Sequence, residues 1–246
     1  MQTHLSSRNR QSELMDDPSL NEGTHRQALA GLRRINNWSR SDKTVWKEIL
    51  KQALLNTGKG PLTILDIAAG SGDLAIRLAS HAKRDGVSIM IDGCDISPTA
   101  VIFATDEAAV ANYDNVRFFE CDALQQPFPQ PKYDVVMCSL FLHHLNNADA
   151  ILLLQRMQAV ARQLVLVDDL RRTQLGYWLA WYGCRILTRS HIVHVDGPMS
   201  VEGAFTSSEA LAIAAKAGLQ FATLEHHWPQ RFTMAWRPHD RDANAE

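Results

Sequence analysis

Apolar residues recur with a helical period in two stretches near the N-terminus. Ala28, Leu32 and Ile35 follow one another at spacings of four and three, and apolar pairs recur every four residues after Ser41. A cap at Ser41 and the glycines and proline of 58–61 bound the second stretch. The pattern predicts an N-terminal helical cap over residues 24–58. Residues 1–23 are polar and carry little pattern, which predicts a mobile leader.

Short apolar runs, rich in β-branched residues, alternate with helical or polar stretches in the rest of the chain. Five of them lie at 62–67, 87–94, 116–121, 134–140 and 164–170. Strands that are apolar on both faces and alternate with helices predict a mostly parallel sheet covered on both sides. Two further runs, 219–225 and 231–237, predict an antiparallel C-terminal hairpin. We therefore expect a Rossmann-like α/β domain with a seven-stranded sheet over residues 59–246.

Charge and cysteine content indicate what kind of partner and which cellular compartment to expect. Lys and Arg total 25 against 27 for Asp and Glu, so no overall field favours nucleic acid or an anionic membrane. The four cysteines form no C-x-x-C pair, which is typical of a reducing compartment. The N-terminus lacks the apolar stretch of a signal peptide, and no run approaches the roughly 20 apolar residues of a membrane span. We expect a soluble, cytoplasmic protein.

A glycine-rich turn follows the first predicted strand. Gly70 and Gly72 lie between this strand, which carries Asp66, and a helical pattern, where glycine lets the backbone approach a ligand and adopt positive φ. Asp95 closes the second strand and Asp122 follows the third, at the same carboxyl edge of the sheet. Any one of these aspartates alone is explained as a structural cap. Their coincidence with the glycine turn favours a nucleoside site.

The turn also satisfies the G-x-G-x-x-G/A pattern of NAD-binding folds. In those folds the pyrophosphate lies on the helix N-terminus, where free N–H groups favour an anion. Asp73 occupies that first helical turn here and would repel a pyrophosphate. S-adenosylmethionine has no phosphate and carries an ammonium and a sulfonium. The acidic lining therefore favours S-adenosylmethionine as the cofactor.

The order of motifs across residues 62–168 resembles that of the class I S-adenosylmethionine-dependent methyltransferases. These motifs are LDIAAGSGDL, CDIS, CDA after FFE, and YDVVMCSLFLHHL. The first is most similar to the ubiquinone and menaquinone C-methyltransferase group and its relatives that act on phenolic or polyketide products. The resemblance implies methyl transfer to oxygen or carbon of a small aromatic, quinone-like or polyketide-like acceptor.

The same resemblance implies which residues hold the cofactor. Asp66 and the glycine turn would hold the methionine end, Asp95 the ribose, and Asp122 with Ala123 the adenine. The full set that we expect to line this site is Asp66, Ala68, Gly70, Gly72, Asp95, Ile96, Asp122, Ala123 and Ser139. Two features depart from the family. Ala68 replaces the commonest first glycine, and no Pro-Gly-Gly turn precedes the fifth strand.

Methyl transfer requires alignment of acceptor and methyl group, and a phenol or an enolisable carbon must also lose a proton. Histidine suits that task near neutral pH. His143 and His144 follow the fourth strand, and we expect His144, then His143, to serve as the base. Taken alone, either histidine is explained more simply by packing or hydrogen bonding at the turn. We predict no metal site, because His191 and His194 would point to opposite faces of an extended segment.

A connection of about thirty residues follows the fifth strand, longer than an ordinary loop. It carries Tyr177, Trp178, Trp181 and Tyr182 between arginines, and it is too apolar for an exposed helix. This pattern predicts a lid at 171–203 over an aromatic or lipophilic acceptor. Core packing explains it as well, and weak interfacial contact with a membrane is a further alternative.

Two other functions stay open. Residues 26–51 hold seven Lys or Arg against two acids, which could contact RNA, although solvated helix faces explain this excess more simply. The Asn/Asp-Pro-Pro-Tyr/Phe segment of many amino-group methylases is absent after strand four, where Ser139-Leu-Phe-Leu-His143 stands. Nucleic acid is therefore not the expected partner. The alternatives are methylation of RNA or protein, and a nucleoside-binding scaffold without turnover.

Overall fold

A seven-stranded sheet forms the centre of the computed structural model, which describes residues 5–17, 19–55 and 60–238. The strands are β1 (Leu62–Ile67), β2 (Ile89–Asp95), β3 (Val116–Glu120), β4 (Tyr133–Ser139), β5 (Ala161–Leu170), β6 (Thr223–His227) and β7 (Arg231–Trp236). They lie in the order β3-β2-β1-β4-β5-β7-β6. The first five strands are parallel, and β7 is antiparallel to both β5 and β6. This confirms the predicted Rossmann-like sheet with its C-terminal hairpin.

Eight α-helices lie among the described residues. They are α1 (Glu22–Ser39), α2 (Ser41–Leu55), α3 (Asp73–Asp85), α4 (Pro98–Val110), α5 (Asn147–Val160), α6 (Gln174–Leu187), α7 (His191–Gly203) and α8 (Ser207–Lys216). Short 3-10 turns occupy Leu14–Asp16 and Leu142–His144. In the described part of the chain, no helix is long and apolar enough to cross a membrane. The predicted helical cap corresponds to α1 and α2, while its boundary at 58–59 lies outside the described residues.

Alternate residues of each central strand pack on opposite faces of the sheet, as the two-sided apolar runs predicted. On one face, Ile64 of β1 lies in a buried cluster with Ile49 of α2 and Leu78 of α3. On the other face, Leu65 of β1 lies in a cluster with Leu153 of α5 and residues of α8. The N-terminal helix α2 is therefore part of the main core.

One strand boundary differs from the prediction. The apolar run 219–225 was expected to be a strand throughout, but β6 begins at Thr223. Leu219 is buried directly after α8, and its N–H donates to the carbonyl of Ala214 while the N–H of Ala222 donates to Leu219. The first residues of the run thus close the helix and form a turn; Leu219 is apolar because it is buried, whereas Phe221 is exposed and has a positive φ of 61°, which no strand residue adopts.

The strand order reverses at β1, which has β2 on one side and β4 on the other. In open α/β sheets, ligands bind in the crevice at the carboxyl ends of the strands where the order reverses. The glycine turn after β1 and the residues after β4 lie at this edge. The carboxyl ends of β1, β2, β4 and β5 therefore form the candidate site.

Candidate active site

The turn after β1 has the backbone conformation that its glycines predicted. Gly70 and Gly72 adopt φ of +53° and +71°, in the left-handed region. A Cβ on Gly72 would lie 2.5 Å from Cζ of Phe118, so any side chain there would displace the neighbouring ring. Ala68 also has a positive φ, of 56°. The family's usual glycine therefore corresponds here to an alanine held in a conformation that favours glycine.

Asp95 joins the glycine turn to the end of β2. One carboxylate oxygen accepts the N–H of Gly70 at 2.9 Å, and the other accepts the N–H of Ser97 at 2.9 Å. The sequence expectation was a ribose-binding carboxylate. The structure adds a second role, because Asp95 fixes the relative position of the turn and the start of α4.

The carboxyl group of Asp66 is fully buried at the end of β1. Its Oδ2 has no hydrogen-bond partner among the described residues. Burial raises the pKa of Asp66 to about 8, and the negative charges of Asp73 and Asp95 add to this effect. Asp73 itself has partners, since its carboxylate accepts from Ser71 in the preceding turn and forms an ion pair with Arg77 in the same helix. A cationic ligand beside Asp66 would compensate this buried acid.

The remaining residues of the predicted cofactor site lie at the same edge. Asp122 accepts the N–H of Leu124 at 2.8 Å, and Ala123 beside it is buried. Ile96 follows β2 and is exposed. Ser139, at the end of β4, accepts a hydrogen bond from Arg231 at 2.9 Å. The fold thus brings the predicted residues to one edge, while their contacts with a cofactor stay a prediction.

His143 and His144 follow β4 in the 3-10 turn, but their surroundings differ. His143 is buried, and its Nδ1 lies 2.6 Å from Oδ1 of Asp169, whose Oδ2 accepts the backbone N–H of His143. Burial acts to lower the pKa of His143, but the charge of Asp169, its hydrogen bond and the contact with Glu13 raise it to about 10. His143 is therefore an imidazolium at neutral pH. His144 is partly exposed, and its ring lies 4.4 Å from that of His143.

A second buried ion pair lies at the end of β5. Asp168 accepts a hydrogen bond from Nη2 of Arg231 at 2.6 Å, and Nε2 of His227 lies 2.8 Å from its other oxygen. Arg231 begins β7 and reaches across to Ser139. Sequence reasoning missed Asp168, Asp169 and Arg231. The available signal was a pair of acids at the carboxyl end of a buried strand, in line with the aspartates of the other strands.

A mostly apolar cavity of about 150 Å³ opens over the ends of β4 and β5. Its walls come from α1, from α6 and α7, and from the histidine turn. Among the lining residues are Leu32, Ile35, Leu140, Leu179, Gly183 and Val201. The polar groups that also line it include Glu13, His143, His144 and Arg231. A largely apolar pocket with a few convergent polar groups is typical of a small-molecule site.

The aromatic residues of the predicted lid are placed differently from expectation. Helix α6 lines the cavity with Leu179 and Gly183, whereas Trp178, Trp181 and Tyr182 pack on one another away from it. Tyr182 is 55% exposed, so the expectation that this segment is too apolar for an exposed helix was wrong. Contacts among the rings, and of Arg185 with the face of Trp181, partly shield them from water. The lid role of 171–203 stays a prediction.

The segment predicted as a mobile leader makes ordered contacts with the site. Arg8 donates to backbone carbonyls of the histidine turn, and Glu13 lies beside both histidines. A leader free of the domain would make no such contacts. No periodic pattern marks this segment, because its contacts come from single side chains and from backbone groups such as the N–H of Leu14, which donates to Asp196. Residues 1–4 lie outside the described residues.

Two further histidines and one cluster of potential metal ligands bear on the prediction of no metal site. His191 and His194 lie on helix α7 and not on an extended segment, and Nε2 of His194 lies 2.8 Å from the carbonyl of Thr188. In the described part of the chain, Glu13, His143 and His144 bring one potential ligand atom each within 4.8 Å of one another. The ion-pair contacts of Glu13 with both histidines account for this cluster. The expectation that the protein has no metal site stays a prediction.

Comparison with known proteins supports the motif resemblance. Residues 64–163 match the model of a methyltransferase domain. The demethylmenaquinone methyltransferase of Thermus thermophilus is 34% identical over 111 residues, which are 45% of this chain and 48% of that protein. The 27-O-demethylrifamycin SV methyltransferase of Amycolatopsis mediterranei is 37% identical over 85 residues, or 34% of this chain and 29% of that protein. The chain thus spans less than half the length of these relatives.

The fold is shared with solved structures at lower sequence identity. An S-adenosylmethionine-dependent methyltransferase from Aquifex aeolicus superposes with a TM-score of 0.60 at 17% identity. The match covers 85% of this chain and 97% of that one. This confirms the predicted fold over 85% of this chain.

Proposed function

We propose that this chain, which carries a class I S-adenosylmethionine-dependent methyltransferase domain, methylates oxygen or carbon of a small aromatic, quinone-like or polyketide-like acceptor. The observation that carries the proposal is an apolar cavity that meets the histidine turn over the carboxyl ends of β4 and β5, the same edge of the sheet at which the glycine turn lies. Two of the similar proteins are named for methylation of demethylmenaquinone and of 27-O-demethylrifamycin SV.

The residues at the carboxyl edge fit S-adenosylmethionine. When bound, this cofactor supplies a methyl group activated by positively charged sulfur. Asp66 offers a buried carboxyl oxygen without a partner to the ammonium of the methionine end. Gly70 faces open space, so that its backbone can approach a ligand closely, and Asp95 stands at the end of β2 to accept ribose hydroxyls. Asp122 and Ala123 after β3 would hold the adenine.

The cavity residues support a small hydrophobic acceptor. Leu32, Leu179 and Gly183 offer an apolar surface without charge, which favours a flat hydrophobic molecule over a charged polymer. Enclosure by α1, α6 and α7 excludes water from the acceptor and aligns it for an in-line displacement. These features support a small acceptor over RNA or protein, and a formed acceptor cavity supports an enzyme over a scaffold.

We assign the two histidines different tasks. Asp169 holds His143 as an imidazolium, so it has no free lone pair and instead stabilises negative charge that develops on the acceptor. His144 is the histidine left to accept the proton of a phenol or an enolisable carbon. This assignment keeps His144 as the first choice of base, as the sequence favoured.

The test is turnover with isotopically methyl-labelled S-adenosylmethionine and a panel of phenols, reduced naphthoquinones and polyketide-like enols, read by mass spectrometry. We expect label in at least one small product. His144→Gln should lower kcat by about 10²-fold or more, as expected for loss of a general base, with unchanged cofactor affinity. His191→Gln, an exposed histidine at the start of α7, serves as the matched control. Label found only in added RNA or protein would contradict the proposal.

A further inference from the structure

Helix α6 presents an apolar stripe to solvent, on a side that does not line the cavity. Leu175, Tyr182 and Ile186 follow one another at spacings of seven and four residues, which places them on one face of the helix. Leu175 and Tyr182 are each 55% exposed, and Ile186 is 79% exposed. At 1.5 Å per residue the stripe is about 16 Å long. An aligned stripe differs from apolar residues scattered singly, and it marks a contact with something outside the domain.

Two indole rings widen this stripe. Trp178 and Trp181 each contact Tyr182, with ring centres 6.1 and 4.7 Å apart. Neither tryptophan lines the cavity. Indole and phenol rings combine an apolar body with a polar tip, and they are enriched where a membrane meets water. The exposed side of α6 therefore has the composition typical of a bilayer interface.

The charges beside the stripe are positive. Residues 174–189 contain Arg185 and Arg189, both exposed, and no Asp or Glu. The guanidinium of Arg185 lies 3.9 Å from the ring centre of Trp181. A bilayer with anionic lipids attracts such cations, and an amphipathic helix with Trp and Arg lies in its interface. A two-fold contact with a second copy would instead bring two sets of these arginines into one interface, which is repulsive.

The apolar surface continues from the start of α6 to the rim of the cavity. The hydroxyl of Thr173 donates to Oε1 of Gln230 at 3.0 Å, which ties the start of α6 to the turn between β6 and β7. This turn also carries Trp228, which is half-exposed and whose ring centre lies 5.2 Å from that of Trp38. Trp38 is half-exposed as well and lines the cavity. Two further indoles thus stand where the cavity meets solvent.

We propose that the exposed side of α6 and the β6–β7 turn dock the protein on a bilayer surface that contains anionic lipids. Leu175, Tyr182 and Ile186 enter the boundary between headgroups and acyl chains, and Arg185 and Arg189 contact the lipid phosphates. This docking goes beyond the proposed function and does not depend on methyl transfer. It places the rim of the apolar cavity next to the lipid phase, from which a lipophilic molecule enters without crossing water.

Sedimentation of the full chain with vesicles tests the docking. We expect binding to vesicles of phosphatidylcholine mixed with phosphatidylglycerol, and binding at least about tenfold weaker to phosphatidylcholine alone. Ile186→Asp should weaken binding to the mixed vesicles about tenfold or more, because a carboxylate is costly in the apolar boundary. Val110→Asp, at the end of α4, is the matched control, since Val110 is also 79% exposed. It should bind like wild type, and both variants should keep the unfolding midpoint of wild type.

A pair of double variants tests the charges separately. Arg185→Gln with Arg189→Gln should weaken binding to the mixed vesicles about tenfold, reduce its dependence on salt, and leave binding to phosphatidylcholine unchanged. Lys83→Gln with Arg84→Gln removes the same two charges from the exposed end of α3, and it should bind the mixed vesicles like wild type.

Three results would overturn the proposal. The first is that wild type binds neither kind of vesicle. The second is that the two double variants bind the mixed vesicles equally well. The third is a wild-type dimer in analytical ultracentrifugation that Ile186→Asp dissociates, because a second copy of the chain would then cover the stripe.

Discussion

The buried carboxyl of Asp66 predicts a pH-dependent cost to the stability of the protein without cofactor. Burial, followed by the charges of Asp73 and Asp95, raises its folded-state pKa to about 8. An aspartate in the unfolded chain has a pKa of about 3.9. Between these values the folded chain retains a proton that the unfolded chain has released, so stability falls as pH rises. The slope is about 1.4 kcal/mol per pH unit.

Asp66→Asn removes this titration while it nearly preserves the shape of the side chain. The free energy of unfolding of the variant, relative to wild type, should therefore rise by about 3 kcal/mol between pH 5 and pH 7, from two pH units at that slope. Denaturant unfolding of both proteins without cofactor, at half-unit steps of pH, measures this difference. Asp114→Asn, an exposed aspartate, is the matched control and should give a difference that does not depend on pH.

A constant difference between Asp66→Asn and wild type across pH 5 to 7 would refute this reasoning, because it would mean that the buried group releases its proton like a free one. The same variant should bind S-adenosylmethionine more weakly, since an amide cannot offer a negative charge to the ammonium. A more stable protein with a weaker site is the expected combination, as a group kept for binding is destabilising when its ligand is absent.

Two further substitutions test the acceptor cavity and the glycine turn. Gly183→Leu places a side chain in open space at the cavity wall, and it should raise the acceptor KM about tenfold or more with unchanged cofactor Kd. The control Ile186→Ala, on the exposed side of the same helix, should change neither constant. An unchanged acceptor KM in Gly183→Leu would place the acceptor elsewhere. Gly72→Ala should cost about 2–5 kcal/mol of stability, from positive φ and the clash with Phe118, measured by denaturant unfolding. A loss below 1 kcal/mol would contradict the packing described for this turn.

The features that could be predicted from the sequence are those fixed by local pattern. Strands such as β1 and β5 are apolar on both faces, and the chain order of strand and helix sets the parallel sheet. Asp66 and Asp95 come to one edge because parallel strands share a carboxyl end. Local pattern and strand direction together therefore predicted the edge at which the nucleoside site was sought.

The features that the sequence did not reveal depend on contacts between distant segments. Glu13 lies far from His143 in sequence, and only the folded path of residues 8–15 brings the two side chains together. The cavity-lining face of α6 was predicted wrongly because Trp181 and Gly183 are close in sequence but lie on different sides of the helix. Composition indicated an apolar lid, whereas the small and aliphatic residues of α6 line the cavity and the aromatic rings do not.

Isothermal titration calorimetry of the full chain with S-adenosylhomocysteine and with NAD is the most direct test of the central claim. We expect binding of S-adenosylhomocysteine, no measurable binding of NAD, and a loss of about 1.5–3 kcal/mol, roughly 10- to 150-fold in Kd, in Asp95→Ala. Asp114→Ala should bind like wild type. Tight binding of NAD without affinity for S-adenosylhomocysteine would contradict the account.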